Sequence, residues 1–443
     1  MIKKIAHNQL DNILEQQNRQ IDYNSNQGIE NNSNSNSKDL LIYLHIPFCT
    51  RKCTYCCWTA HIPSKILMNF ENFQTQFVDS LCVQIQHIGP KLMKAGYNPR
   101  HVAWGGGTPS VLSIESLEKV LKVLYSSFDL SGIDEHTFES SPCTLDAEKI
   151  SFLSSNGVNR VSVGVQSFND DELKMLGRPH NSEEAINTVS LLRENGICNY
   201  NMDLMFAIPN HTSEIWKQTL KQALALDPTH ITTYLYNNTP NTVLTDLINK
   251  GKYQILPMGE MLELDKQTKQ ILGERGFYES ISQCYITRPE HLHKSEYYVQ
   301  TYQGDYIGFG NGANSSIKQH FLCNSSDNES INRFIQNPVH FDNCVKYTPF
   351  VYDSNIETTF MRILNALCTD KGINFKKFYD HYGFNFEESN INHELLNIAK
   401  KTNSFNVSDE GISIKKEDRN IVYIKYLLQV LRIKKPVGSS ICD

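Results

Sequence analysis

The sequence has no apolar run approaching the length of a bilayer span, and no apolar segment follows Met1. These absences argue against a helical membrane protein and a secreted one, and the expectation is a cytoplasmic protein. A strongly basic balance is also missing. The net charge over 443 residues is −6, which leaves no electrostatic footprint for nucleic acid. The twelve cysteines lack the spacing of a disulfide scaffold, as in a reducing compartment. Residues 24–37 (NSNQGIENNSNSNS) are nearly without apolar side chains and cannot offset the entropy of ordering. Residues 1–38 are therefore read as a disordered leader, with at most a weak helix over 5–20. What remains is ample: hydrophobic residues make up 40% of the chain, enough for a barrel-sized domain and a smaller one.

One stretch organises the rest. Residues 42–58 read IYLHIPFCTRKCTYCCW, with Cys49, Cys53 and Cys56 in the spacing C-x3-C-x2-C. Thiolates are soft ligands that suit iron–sulfur clusters. A cubane cluster ordinarily takes four cysteines, so three leave one iron open to a small molecule. An incomplete zinc site or plain buried thiols are the alternatives. The preceding LLIYLHI is apolar, β-branched and aromatic, as in a buried strand, and Pro47 ends it. The thiols thus fall in a loop after a strand, where parallel barrels place their chemistry.

From 39 to 238 strand and helix patterns alternate. Strands are expected at 40–46, 101–106, 136–141, 160–166, 199–206 and 230–236. Helices are expected at 73–95, 114–126, 182–195 and 213–226, the last two capped by Ser182 and Ser213. Six such units predict an α/β fold, a partial (β/α)6 barrel. A mixed region covers 239–346, and its Gly304–Ala313 stretch (GDYIGFGNGA) is read as tight backbone beside the barrel mouth. Residues 347–443 suggest a small helical, winged-helix-like domain: helices at 357–368, 374–382 and 394–402, a strand at 411–414 and a last helix at 420–431. It lacks a concentrated basic recognition helix, so DNA binding is not expected.

The three-cysteine spacing, with Tyr55 just before the third thiol, resembles the radical S-adenosylmethionine (SAM) superfamily. Polar residues fall at successive strand ends: Gly106, Gly107 and Thr108 in WGGGTPS, Glu139 in FESSP, Gln166 in GVQSF and Asp203 in NMDLMF, with Arg178 in LGRPH. A buried Asp in an apolar strand is costly unless paired. The phrases YLHIPFC, GGGTPS, GVNRVSVGVQSFND, LGRPH, NMDLMFAIP and GDYIGFGNGA resemble the oxygen-independent coproporphyrinogen III dehydrogenase family, with its heme-chaperone relatives and the class C radical SAM methylases. This resemblance spans about residues 40–435.

The resemblance implies a [4Fe-4S] cluster on Cys49, Cys53 and Cys56 and two SAM molecules. Positions matching contacts of the first SAM are Tyr43, Gly106 and Glu139. Those matching the second are Tyr55, Gly107, Thr108, Gln166, Arg178 and Asp203. It also implies a small-molecule substrate, an electron donor of the reduced flavodoxin or ferredoxin type, and a 5′-deoxyadenosyl radical that abstracts hydrogen. The sequence departs from the dehydrogenase where Trp58 replaces a further cysteine, Cys57 lying one residue early. It departs from the chaperones where their HNxxYW heme motif reads His293-Lys294-Ser295-Glu296-Tyr297-Tyr298, His293 being read as a surface histidine. The leading expectation is transfer of a SAM-derived one-carbon unit to an unsaturated or aromatic small molecule. The alternatives are coproporphyrinogen dehydrogenation and heme carriage.

Overall fold

The computed structural model describes residues 10–14, 38–63, 69–327, 329–347, 363, 366–369 and 371–415. Six parallel strands come first: β1 (Asp39–Ile46), β2 (Asn98–Gly106), β3 (Glu135–Ser140), β4 (Arg160–Gln166), β5 (Tyr200–Phe206) and β6 (His230–Leu235). Each pairs parallel with the next, with register shifts at Leu40/Leu41 in β1 and Gly164/Gln166 in β4. Helices connect them: α1 (Phe70–Lys94), α2 (Ile114–Ser127), α3 (Ala147–Ser155), α4 (Asp170–Met175), α5 (Ser182–Glu194) and α6 (Ser213–Ala225). This is the expected succession of (β/α) units, with strand ends within three residues of the expected ones.

The mixed region extends the same sheet on both edges. After α7 (Val243–Asn249) and α8 (Met258–Gly273), the short strands β7 (Tyr278–Ile281) and β8 (Cys284–Ile286) add antiparallel to β6. After α9 (Lys294–Gln300), β9 (Asp305–Phe309) pairs parallel to β1. Strands β10 (Asn314–Ile317), β11 (His320–Cys323) and, beyond α10 (Ser330–Gln336), β12 (Asn343–Lys346) continue antiparallel. The sheet thus runs β12-β11-β10-β9-β1-β2-β3-β4-β5-β6-β8-β7. The glycine-rich stretch at 304–313 is therefore a strand flanked by turns, and it does lie tight against its neighbours.

Strand alternation sorts the side chains. Ile42, Leu44 and Ile46 of β1 share one face with Val102, Phe138, Val161 and Leu204, buried under helices that contribute Phe77, Leu81 and Ile85. A side chain of this size contributes roughly 1.5–3 kcal/mol by leaving water. The opposite face carries Tyr43, His45, Glu139, Asp203 and Tyr234 instead of the branched residues that fill an ordinary barrel. The lumen is therefore polar.

Three local expectations are corrected. Asn181 and Thr212, not Ser182 and Ser213, cap α5 and α6, because a cap needs an extended residue whose side chain reaches the third amide beyond it. Within the leader, residues 10–14 are helical and packed: Leu10, Ile13 and Leu14 are buried, and Asp11 pairs with Lys91 at 2.8 Å. The spacing i, i+3, i+4 gives this turn one apolar face. The C-terminal region shows β13 (Ile373–Asn374), α11 (Phe375–Tyr382), α12 (Asn390–Lys401), β14 (Phe405–Ser408) and β15 (Gly411–Ile414). The last two strands form a hairpin on which β13 closes a small sheet, so strand 405–408 adds to the expected order. The expected helices at 357–368 and 420–431 fall largely or wholly outside the described residues. Tyr302 and Tyr347 pack on Tyr382 at 5.5 and 4.8 Å between ring centres, joining this region to the sheet.

Gly310 ends β9 with φ +100°, and a Cβ there would stand 2.5 Å from the His45 carbonyl oxygen. Gly310→Ala is expected to cost roughly 1–3 kcal/mol from the backbone clash alone and to lower the thermal unfolding midpoint measured by circular dichroism. An unshifted transition would show that β9 does not abut the end of β1.

Candidate active site

The loop that carries the thiols is anchored at its root by Phe48. Its buried ring meets Phe70, Phe73 and Phe77 of α1 at 5.1–6.1 Å. Backbone bonds from Cys49 to His61 and from His61 to Pro47 close the loop on itself. Thr54 ties its middle to the end of α4, its amide donating to Leu176 O at 3.0 Å and its hydroxyl to Met175 O at 2.7 Å. Gly177 allows that approach, for a Cβ there would stand 3.1 Å from Thr54 N.

The three thiols are partly exposed and near one another. Burial pushes the Cys49 and Cys56 thiols above their ordinary range; neighbouring thiols add to this, while Thr108 beside Cys49 and Lys52 beside Cys56 oppose it. Two donors point at sulfur: Thr108 Oγ1 lies 3.5 Å from Cys49 Sγ, and Arg178 Nη1 lies 3.3 Å from Cys53 Sγ. Among the described residues no three His, Cys, Asp or Glu side chains converge on a single ion. Three partly exposed thiols that act on one another, two of them offered hydrogen bonds at sulfur, fit ligands that each take a different iron of one cluster.

Below the loop the lumen opens into a chamber. Glu139 and Tyr234 are reached by water although protein surrounds them, and Tyr234 is 47% exposed. Such groups line the wall of an internal space. Asp203 is fixed by Ser162 Oγ at 3.0 Å and Asn201 Nδ2 at 2.6 Å. Burial, then the nearby Asp203 and Glu296 carboxylates, push Glu139 up to about 8. Burial pushes Asp203 up to about 6, against the bonds from Asn201 and Ser162. Tyr43 donates to or accepts from His45 Nδ1 at 3.2 Å. Burial lowers His45 to about 4, so its ring is neutral.

The structure brings the expected residues to one end of the barrel, with one difference in the glycines. A Cβ at Gly106 would meet the His45 ring at 2.7 Å, and one at Gly107 the Phe48 carbonyl at 2.5 Å. Protein atoms on these sides already require glycine. Their backbone edges and Thr108 remain partly exposed. On the far wall, Gln166 ends β4 with φ 70°, and its amide and the Arg178 guanidinium converge over Gly164, both 3.2 Å from where a Cβ would stand. Arg178 also donates to Gly164 O at 2.5 Å and to Ser141 Oγ at 3.3 Å. Tyr55 sits beside Arg178 and Cys53, burial raising its phenol above the ordinary range.

His293 is not the surface residue expected. Its ring lies 3.9 Å from Glu135 Oε1 and 6.4 Å from the His230 ring, at the barrel's N-terminal end. Glu135 in turn caps α9, accepting from the Lys294 and Ser295 amides at 2.9 Å each. Sequence reasoning passed over His45, Arg160, Tyr234 and Glu296. His45 and Arg160 share a parity with assigned positions on their own strands, Tyr43 and Gln166, and period-two counting would have found them; Tyr234 lies on β6, where no position was assigned. Glu296 arrives on α9 from outside the six units, and no local pattern marks it.

A parallel barrel with a three-thiol loop on its first strand, above a polar chamber, defines a protein built to hold an iron–sulfur cluster and a small ligand together. A family model described as the radical SAM superfamily matches residues 43–223. The chain is 32% identical over 279 residues to the heme chaperone HemW of Haemophilus influenzae, covering 63% of this chain and 70% of that protein. It is 25% identical over 423 residues to the oxygen-independent coproporphyrinogen III oxidase of Salmonella typhimurium, covering 90% and 88%. The solved coproporphyrinogen III oxidase (HemN) of Escherichia coli superposes with a TM-score of 0.69 over 89% of this chain and 90% of that one, at 20% identity, a likeness of fold. The chain belongs to the radical SAM superfamily, in the family of the heme chaperones and oxygen-independent coproporphyrinogen III oxidases. Membership implies a [4Fe-4S] cluster and SAM, and the residues described here fit both. No helix among the described residues is long and apolar enough to cross a membrane.

Iron binds the thiolate, not the thiol. Because Cys49 and Cys56 are held above the ordinary thiol range, anaerobic reconstitution is expected to gain iron as pH rises through mild alkali. Cys53→Ala should retain less than half the iron, and the visible absorbance of the cluster reads both effects. Full iron in Cys53→Ala would remove that residue from the ligand set.

Proposed function

We propose that the protein is a radical SAM enzyme that holds two SAM molecules in one chamber and transfers a one-carbon unit from the second to an unsaturated or aromatic small molecule. One observation carries this reading: Glu139, Asp203 and Glu296 act on each other's neighbourhood within a single lumen. SAM is a sulfonium that also bears an ammonium. An acidic chamber is matched to two such cations. Trp58, standing where the dehydrogenase carries a further thiol, supports the same reading.

When bound, the cluster supplies the one-electron reduction that cleaves SAM. The chain's own residues do the positioning. Cys49, Cys53 and Cys56 would hold the cluster, and Arg178 and Thr108 donate to the sulfurs of Cys53 and Cys49. Glu139 takes the ammonium of the first SAM, beside Tyr43 and the Gly106 backbone. Asp203, already oriented by Ser162 and Asn201, takes a hydroxyl or ammonium of the second, with Tyr55, Gly107, Thr108, Gln166 and Arg178 around it. An electron carrier of the flavodoxin or ferredoxin type completes the cycle.

The identity to the heme chaperone supports heme carriage as a second reading. Against it, the ring of His293 is turned toward Glu135 and His230 at the chamber floor.

The test is the product profile of the reduced, reconstituted protein. S-adenosylhomocysteine and 5′-deoxyadenosine together are expected. Deoxyadenosine alone, stimulated by coproporphyrinogen, would replace this reading with the dehydrogenase. Heme binding with neither product would replace it with the carrier. Asp203→Asn should lower bound SAM from two to one per chain by equilibrium dialysis, with iron unchanged; two bound SAM in that variant would release Asp203 from the second site.

A further inference from the structure

Beneath the chamber lies a wholly buried charge. Arg160, the first residue of β4, is 1% exposed. Its guanidinium donates only to neutral groups, Thr137 Oγ1 at 3.0 Å and His230 Nδ1 at 2.7 Å. Among the described residues its Nε has no hydrogen-bond partner and no carboxylate stands within ion-pair distance of it. A wholly buried cation with neutral partners is costly unless something repays the desolvation. The structure shows what does. Glu139 and Asp203 lie on the same lumen face of β3 and β5, near enough for Arg160 to favour the ionised form of both.

A hydrogen-bonded chain also joins Arg160 to Asp203. His230 Nε2 lies 3.4 Å from Thr232 Oγ1, which donates to Asn201 Oδ1 at 3.1 Å, and Asn201 Nδ2 donates to Asp203 at 2.6 Å. His230 is wholly buried and accepts from the guanidinium, so it is neutral and has one tautomer, with its proton on Nε2. Each member of the chain is thereby oriented by the next.

We propose that Arg160 is a positioning residue: a counter-charge built under the chamber that draws the Glu139 and Asp203 carboxylates toward the ionised form while leaving their ligand-facing sides free for a cation. The inference rests on the reading of the chamber as a SAM site. Three carboxylates in one chamber repel one another, and an arginine inside it would occupy the ligand's place. A guanidinium one layer down reduces the repulsion without filling the space.

The other charged and titratable groups around the pair are accounted for. Glu139 and Asp203 are faced by Tyr43 from β1, Arg178 after α4, Tyr234 from β6 and Glu296 from α9. Arg160 is faced by Cys284 from β8, His230 from β6 and His293 before α9. Burial holds both histidines well below their ordinary range, and Arg160 lowers them further, so they add no charge near neutrality. Arg178 also acts on Asp203, and it is engaged by Cys53, Gly164 and Ser141.

The sign follows directly. A cationic ligand is held by the ionised carboxylates, so SAM affinity in the native protein rises with pH through the range in which Asp203, at about 6, and Glu139, at about 8, lose their protons. Removing the Arg160 charge makes both protons harder to remove and moves that rise to higher pH.

The experiment is anaerobic equilibrium dialysis of labelled SAM against cluster-loaded protein across a pH series, with iron content and thermal unfolding measured in parallel. Arg160→Gln keeps hydrogen-bonding capacity toward Thr137 and His230 without the charge. Its midpoint is expected about one pH unit higher, an affinity about tenfold weaker on the acid side. Arg160→Lys keeps the charge and loses the paired geometry, and its midpoint should stay with the native protein. An unmoved midpoint in Arg160→Gln, or an equal displacement in Arg160→Lys, overturns the proposal. Where Arg160→Gln fails to fold, Arg160→Lys decides alone: a native midpoint supports the proposal and a displaced one overturns it. If the native protein binds no SAM at any pH, the SAM reading of the chamber falls and this inference falls with it, an outcome distinct from the variant results.

Discussion

Three thiols held at the mouth of a barrel resist ionising together, and much of the surrounding architecture holds the loop that carries them. The loop has little regular structure of its own. It is pinned at its root by the Phe48 ring among the aromatics of α1, at its middle by Thr54 on the end of α4, and from the side by Thr108 and Arg178 on two of its sulfurs. The pins come from three different (β/α) units, the first, the second and the fourth. The site is therefore no more stable than the closure of the barrel that brings those units together.

The same logic runs down the lumen. An ordinary parallel barrel fills its interior with branched apolar side chains. Here the inward positions carry carboxylates, phenols, histidines and one wholly buried arginine. Such an interior is expensive to desolvate, so each polar group is tied to another: Asp203 to Asn201 and Ser162, His230 to Arg160, Glu135 to the first turn of α9. The order that results is that of a prepared binding site. Charges are fixed in orientation before any ligand arrives, so little reorganisation is needed when a cation enters.

The regions outside the six units are structural partners of the site. β9 lies parallel to β1 and brings Gly310 against the carbonyl of His45, on the strand that carries the thiol loop. α9 is set against the N-terminal ends of the strands by Glu135 and carries Glu296 to the chamber. The likeness to HemN over nearly the whole chain shows that this extended sheet belongs to the shared fold.

The six parallel strands and their helices were legible in the sequence, because hydrophobic period and length are local properties. So were the thiol loop, the strand-end carboxylates and Arg178, whose spacing and motif context stand in contiguous residues. Cap positions slipped by one residue, since Asn181 and Ser182 are both good caps and only the backbone angle chooses between them. The packed turn at Leu10–Leu14 was hidden inside a polar leader, because its few apolar residues acquire meaning only once α1 offers Lys91 to Asp11. The sequence by itself determined which elements form and which of them carry soft ligands. Tertiary structure alone decided that Glu296 joins Glu139 and Asp203, that His293 turns to the barrel floor, and that Arg160 lies under the chamber without a carboxylate partner. Those facts depend on distances between residues far apart in the chain, and charge acts through space and not along the backbone.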